Sequence, residues 1–167
     1  MDIQYKTGNL LDGPERFIAH GCNARGVMMS GIAKEIRERL PNAYTCYRKV
    51  FETNGKLELG TTIWAPCGEK TVINAITQET YGRDPNTVYV SYDAVRRAIK
   101  QINAHALVTQ ISESAANVGG RVEEVGFPLI GAGLANGSWA TISQIIAEES
   151  TNFRPIVYLF DGVMPQS

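Results

Sequence analysis

The sequence has few of the features that mark membrane, secreted or metal-binding proteins. No apolar run approaches the ~20 residues that a membrane-spanning helix needs, and residues 1–6 alternate polar and apolar without a signal-peptide pattern. The 3 cysteines are an odd number and include no Cys-x-x-Cys pair, which argues against a disulfide framework and a structural zinc site. We therefore expect reduced thiols, no metal, no membrane segment and a cytoplasmic location.

The sequence also lacks an excess of positive or negative residues. The chain has 16 Lys and Arg against 17 Asp and Glu, a net charge of -1, so it has no broad basic surface for nucleic acid. Any phosphate must therefore be bound by a few groups at one site and not by a broad positive surface. The 44% apolar and 20% charged residues are typical of a folded protein. The length of 167 residues predicts one domain covering residues 1–167, and we expect a monomer.

Segments typical of strands and helices alternate along the chain. Apolar alternation and β-branched residues predict strands at 3–5, 16–20, 61–66, 71–76, 122–129 and 156–160. Apolar residues at helical spacing predict helices that begin at Gly31 and Pro41 and further helices at 91–116 and 139–149. This order predicts an α/β protein in which helices cover both faces of a mainly parallel or mixed sheet.

Two glycine-bearing loops stand where strands lead into helices, the usual ligand position in such sheets. The first covers residues 20–33, and the second covers residues 128–134. Glycine lets backbone N–H groups approach a phosphate, and a helix start adds free donors and a favourable dipole. The two loops could hold a diphosphate between them; the alternative is that their glycines only form turns. Neither loop matches the P-loop or the dinucleotide-binding glycine pattern.

Together, these segments resemble the macrodomain family, whose members bind ADP-ribose. Residues 21–23 and 29–33 are similar to the family's first loop, and residues 131–134 to its second. The start of the first loop at residues 20–23, and the second loop at residues 130–134 with Trp139, most resemble the branch that contains ADP-ribose 1''-phosphate phosphatases and terminal ADP-ribose glycohydrolases. The resemblance implies a three-layer α/β/α fold with a central mixed sheet, ADP-ribose or ADP-ribose 1''-phosphate as ligand, and no cofactor.

The chain also departs from the family. Hydrolases of this branch that remove ADP-ribose from carboxylate side chains have a lysine and an aspartate where this chain has Gln78 and Ala135. Met29 and Ser30 replace two glycines of the first loop. The resemblance thus favours hydrolysis of ADP-ribose 1''-phosphate to ADP-ribose and phosphate. Two alternatives stay open: a non-catalytic reader of ADP-ribose or a related nucleotide signal, and an ADP-ribosyl hydrolase acting on modified macromolecules.

The resemblance assigns ligand contacts to both loops. Asn23 is expected to hydrogen-bond the distal ribose and to support catalysis, although it could instead only close a turn. Asn9 or Asp2 is expected at the adenine end. The remaining contacts are assigned to backbone groups of the loops: Ser30, Gly31, Ile32, Gly131, Ala132, Gly133 and Leu134.

The chemistry of four further side chains makes them candidates. A neutral His20 could take a proton from water, or its cation could protonate a leaving oxygen; the alternative is a packed strand residue. Arg25 could bind a terminal phosphate through two hydrogen bonds or be simply solvated. Trp139 and Tyr81 could line the pocket, although Trp139 could equally belong to the core.

Overall fold

A computed structural model describes residues 1–116 and 122–165. The strands are β1 (Gln4–Thr7), β2 (Phe17–Asn23), β3 (Thr62–Cys67), β4 (Lys70–Gln78), β5 (Glu123–Phe127) and β6 (Phe153–Leu159). The helices are α1 (Gly31–Arg39), α2 (Pro41–Asn54), α3 (Tyr92–Ala115) and α4 (Trp139–Glu149), and a 3₁₀ turn covers Leu10–Asp12. Within these ranges, no helix combines the length and the hydropathy needed to cross a bilayer.

The six strands form one sheet in the order β1-β6-β5-β2-β4-β3. In this order the first five strands run parallel to their neighbours. The sixth, β3, pairs antiparallel with β4. The predicted mixed sheet between helices is confirmed. Because five strands run the same way, their carboxyl ends meet at one edge, which is where ligands bind in this architecture.

Apolar side chains on both faces of the sheet hold the layers together. Phe17 and Ala19 of β2 join the cluster under α3 and α4, whereas Ile18 joins the cluster under α1 and α2. This alternation follows from the two-residue period of a strand. Each fully buried Ile or Phe contributes about 1.5–3 kcal/mol. The two faces therefore fix the helices, and with them the loops at the carboxyl edge.

β2 extends further towards its carboxyl end than the predicted segment 16–20. β2 continues to Asn23, because Gly21 and Cys22 pair with β4 before the register shifts at Asn23. A side chain at Gly21 would place its Cβ 2.7 Å from Thr77 Oγ1, so only glycine fits this strand position without displacing a neighbour. His20, predicted to end the strand, instead lies inside it.

Candidate ligand-binding site

A cavity of about 830 Å³ lies at the carboxyl edge of the parallel strands. Its walls come from the loops that follow β1, β2, β4, β5 and β6. The sequence-predicted residues that line it are Asn9, Asn23, Tyr81, Ser30, Gly31, Ile32, Gly131, Gly133 and Leu134. The structure therefore brings both glycine loops to one cavity, in the size range of small-molecule sites.

The first loop presents the start of α1 to this cavity. Ser30 is extended and makes no side-chain cap bond, and Gly31 turns the chain with a φ of 56°, a left-handed angle that favours glycine. Among the described residues, no hydrogen bond uses the N–H groups of Gly31, Ile32 and Ala33, all of which line the cavity. These donors and the positive end of the helix dipole suit an anion.

The second loop closes on itself and leaves two amides for a ligand. Gly137 N–H donates to Gly131 O at 2.8 Å, and Asn136 N–H donates to Gly133 O at 3.1 Å. The N–H groups of Gly133 and Leu134 have no partner within the described ranges. Leu134 Cδ1 lies 3.7 Å from the place that a Cβ on Gly31 would occupy. The two loops therefore meet across the cavity.

Asn23 shapes the first loop. Its Nδ2 donates to Val27 O at 2.8 Å, and its Oδ1 accepts the N–H of Arg25 at 3.0 Å. The buried hydroxyl of Tyr47 donates to the main-chain oxygen of Asn23 at 2.6 Å. One of the two Nδ2 hydrogens is left for a ligand. The turn expected as the alternative role of Asn23 therefore exists.

Among the described residues that line the cavity, two carry a full charge, Glu35 and Arg83. Glu35 Oε1 accepts from Asn9 Nδ2 at 2.6 Å and from an Arg39 guanidinium nitrogen at 3.1 Å. Its Oε2 takes no hydrogen bond within the described ranges. The Arg83 side chain is exposed and forms no ion pair in the part of the chain that the structure describes. Burial raises the pKa of the lining thiol Cys22, which stays protonated.

The structure does not bring His20 to the cavity. Its side chain is fully buried, and the ring Nε2 lies 2.7 Å from Asn74 Oδ1. Desolvation by burial lowers the pKa of His20 to about 4, although the Asn74 hydrogen bond opposes this shift. The imidazole therefore stays neutral and packed, as in the alternative that the sequence left open, and it lies away from any attacking water in the cavity.

Three further candidates also lie outside the residues that line the cavity. Arg25 lies in the first loop, where its side chain is exposed and does not line the cavity. Trp139 is buried, and its Nε1 donates to Tyr5 Oη at 3.2 Å, so it belongs to the core beside α4. Ala132 packs on the same core between two lining glycines. Trp139 and Ala132 are thus separated from the site by packing into the core, whereas Arg25 is directed to solvent.

The sequence assigned no ligand contact to several residues that line the cavity. Phe160 is 80% exposed directly after β6, and Met29 is 69% exposed in the first loop. Exposed apolar side chains at a cavity mouth are typical of a ligand site. Glu35 and Arg83 were also missed. Most charged residues are solvated, so the sequence does not show which of them lie at the cavity; the fold does.

The side chains of the described residues form no evident metal-binding cluster. Residues 1–116 and 122–165 contain no cluster of three or more His, Cys, Asp or Glu side chains that could hold one. The donors at the cavity are mainly backbone amides, which suit an anionic ligand.

The sequence and the fold match those of known proteins. A family model described as Macro domain matches residues 19–146. The chain belongs to the macrodomain family. This macrodomain resembles a Thermus aquaticus protein named DNA ADP-ribosyl glycohydrolase, with 26% identity over 149 residues, covering 87% of this chain and 37% of that protein. It is also similar to a Candida glabrata protein named ADP-ribose 1''-phosphate phosphatase, with 36% identity over 67 residues, covering 39% of this chain and 37% of that protein.

The macrodomain thus matches little more than a third of the length of either curated relative. Among solved structures, a Bacteroides thetaiotaomicron protein of unknown function superposes with a TM-score of 0.77 at 27% identity, covering 95% of this chain and 98% of that one. Thermosipho africanus DarTG in complex with ADP-ribose superposes with a TM-score of 0.68 at 12% identity, covering 97% of this chain and 43% of that one. At such identity the second likeness shows the fold alone.

Proposed function

We propose that the cavity binds ADP-ribose or ADP-ribose 1''-phosphate, with the diphosphate between the two glycine loops. The observation that carries this proposal is two sets of backbone N–H groups, without partners in the described ranges, at residues that line one cavity: residues 31–33 at the start of α1 and residues 133–134 in the second loop. Amides on two sides of a diphosphate can each donate to a different phosphate group. This binding mode needs no cluster of lysines or arginines, which agrees with the net charge of -1.

In this proposal the base lies at the β1 side of the cavity, beside Glu35 and Phe160. The amine of adenine can donate to the free Oε2 of Glu35, whose other oxygen is already held by Asn9 and Arg39. The exposed ring of Phe160 offers an apolar face for stacking. Binding a base that carries an amine would relieve the cost of leaving a carboxylate beside an anionic ligand.

We further propose that the enzyme reaction is hydrolysis of ADP-ribose 1''-phosphate. Water attacks the terminal phosphorus, the bond from phosphorus to the C1'' oxygen breaks, and that oxygen takes up a proton as ADP-ribose leaves. In this scheme the amides of both loops hold the diphosphate, and Asn23 orients the distal ribose. No histidine lines the cavity within the described ranges, so a phosphate oxygen of the substrate takes the proton of the attacking water. The name of the Candida glabrata relative supports this choice.

Removal of ADP-ribose from macromolecules is the second candidate, and the name of the Thermus aquaticus relative favours it. Gln78 and Ala135 both line the cavity, and neither can act as an acid or a base. Gln78 Nε2 donates to Thr80 O at 2.8 Å. A route that needs a lysine and an aspartate at these positions therefore has neither group here.

Calorimetric titration with ADP-ribose tests binding, and phosphate release from ADP-ribose 1''-phosphate tests turnover. We expect saturable binding and release above the rate in buffer. Gly133→Asp should weaken ADP-ribose binding more than about tenfold through charge repulsion, because the site is open and a Cβ there meets no atom within 4 Å. Ala140→Asp, on the exposed side of α4, is the control.

Binding without phosphate release would favour the reader, and release of ADP-ribose from a modified protein or DNA would favour the second candidate. Absence of ADP-ribose binding by the folded wild type would refute the proposed function.

A further inference from the structure

The charges of the cavity stand at its two ends. Glu35 is bound to Asn9, which follows β1, whereas Arg83 stands in the loop after β4. Both glycine loops follow strands that lie between these two in the order β1-β6-β5-β2-β4. With neighbouring strands ~4.8 Å apart, the four intervals from β1 to β4 span roughly 19 Å. The cavity is therefore acidic at one end, lined by neutral amides in its middle and basic at the other end.

This polarity fixes the direction of a ligand whose diphosphate lies in the middle. With the base beside Glu35, an exocyclic amine meets an acceptor and the distal ribose extends towards Arg83. In the reverse direction, a group on the distal ribose would meet the carboxylate of Glu35. An anionic group there would be repelled. A ligand with a second negative charge therefore has one favourable direction.

Arg83 is available for such a charge. Its neighbour Asp84 has both carboxylate oxygens engaged, because one accepts Asn86 N–H at 2.9 Å and the other accepts the Thr87 hydroxyl at 2.9 Å. The Asp84 carbonyl accepts Asn136 Nδ2 at 3.0 Å, which ties this loop to the second glycine loop. The guanidinium of Arg83 is thus carried on an anchored backbone and is free to form two hydrogen bonds to a phosphate.

We propose that Arg83 binds a phosphate monoester on the distal ribose and makes the cavity prefer ADP-ribose 1''-phosphate to ADP-ribose. This inference rests on the proposed function, since it takes the diphosphate to lie between the glycine loops. It transfers to Arg83 the role that the sequence suggested for Arg25, which does not line the cavity. Arg83 is a specificity residue in this proposal and takes no part in the bond-breaking step.

The test compares two ligands by calorimetry: ADP-ribose and its 1''-methylenephosphonate analogue, which carries the terminal charge and resists hydrolysis. We expect the wild type to bind the analogue at least tenfold more tightly. Arg83→Gln should bring the two dissociation constants within about twofold by weakening the analogue. Lys56→Gln, which removes an exposed positive charge outside the cavity, should keep the wild-type ratio. Circular dichroism checks that each variant is folded.

Raising the salt concentration should reduce the wild-type ratio and leave that of Arg83→Gln unchanged. Equal affinity of the wild type for both ligands would overturn the inference while leaving the proposed function intact. An equal loss of both ligands in Arg83→Gln would place the guanidinium on the diphosphate and also overturn it. If Arg25→Gln and not Arg83→Gln lost the ratio, the role would belong to Arg25. No binding of ADP-ribose by the wild type would refute the proposed function and the inference together.

Discussion

Burial of His20 should make the protein less stable as the pH falls through the range in which a free histidine takes up a proton. The folded state lowers the pKa of His20 from 6.5 to about 4, chiefly through desolvation. Between these values the unfolded chain binds a proton that the folded chain does not, so acid favours unfolding. The loss begins near pH 6.5 and is complete near pH 4.

The size of this effect follows from the shift. A difference of 2.5 units between the ordinary value and about 4 corresponds to about 3 kcal/mol of unfolding free energy over the whole range, at about 1.4 kcal/mol per unit. Between pH 7.5 and pH 5.0 the same two values give a loss of about 2 kcal/mol. The folded structure keeps His20 neutral because its ring is fully buried, and the Asn74 hydrogen bond only partly opposes the effect of burial on the pKa.

Urea unfolding at pH 7.5 and pH 5.0 measures this loss. His20→Gln keeps an amide that can donate to Asn74 but removes the proton-binding group, so its unfolding free energy should change by about 2 kcal/mol less between the two pH values than that of the wild type. An equal unfolding free energy of the wild type at both pH values would refute the reasoning, as would an unchanged dependence in His20→Gln.

Two further predictions concern the cavity loops and the base. Gly131→Ala should lower the free energy of unfolding by about 2–4 kcal/mol and Tm by roughly 5–15 °C, because φ is 73° and the new Cβ would lie 2.7 Å from a methyl group of Val90. Gly133→Ala, whose Cβ would lie in open space, should stay within about 0.5 kcal/mol of the wild type in thermal unfolding. Equal Tm values of the two variants would contradict this prediction. In calorimetry the wild type should prefer ADP-ribose to its hypoxanthine analogue at least about tenfold. Glu35→Gln should reduce this preference to below about threefold, because the amide of Gln can donate to the hypoxanthine oxygen. Glu38→Gln, exposed on the same helix, is the control, and an unchanged preference in Glu35→Gln would show that Glu35 does not contact the base.

The sequence predicts well the features that short segments determine. Helices begin at Gly31, Pro41 and Trp139 as predicted, because a glycine loop, a proline at the first helical turn and a change of apolar period are local signals. The two glycine loops could be found for the same reason. Their meeting at one cavity follows from parallel strands, whose carboxyl ends share an edge.

Side-chain roles that depend on the register between strands could not be predicted. His20 looks like the last residue before a loop, and only the pairing of Gly21 and Cys22 with β4 shows that it lies inside the sheet. Arg25 and Arg83 look alike as arginines in glycine-bearing loops. The fold places only Arg83 at the cavity, because the loop after β4 is anchored to the second glycine loop.

The pairing of β1 with β6 has a consequence for the newly synthesised chain. β1 contributes the Asn9 side of the cavity, yet its partner in the sheet is the last strand, Phe153–Leu159. A chain still growing on the ribosome holds both glycine loops well before it holds that partner, so the base-binding end should be completed last. Ligand retention would then report that β1 and β6 have paired.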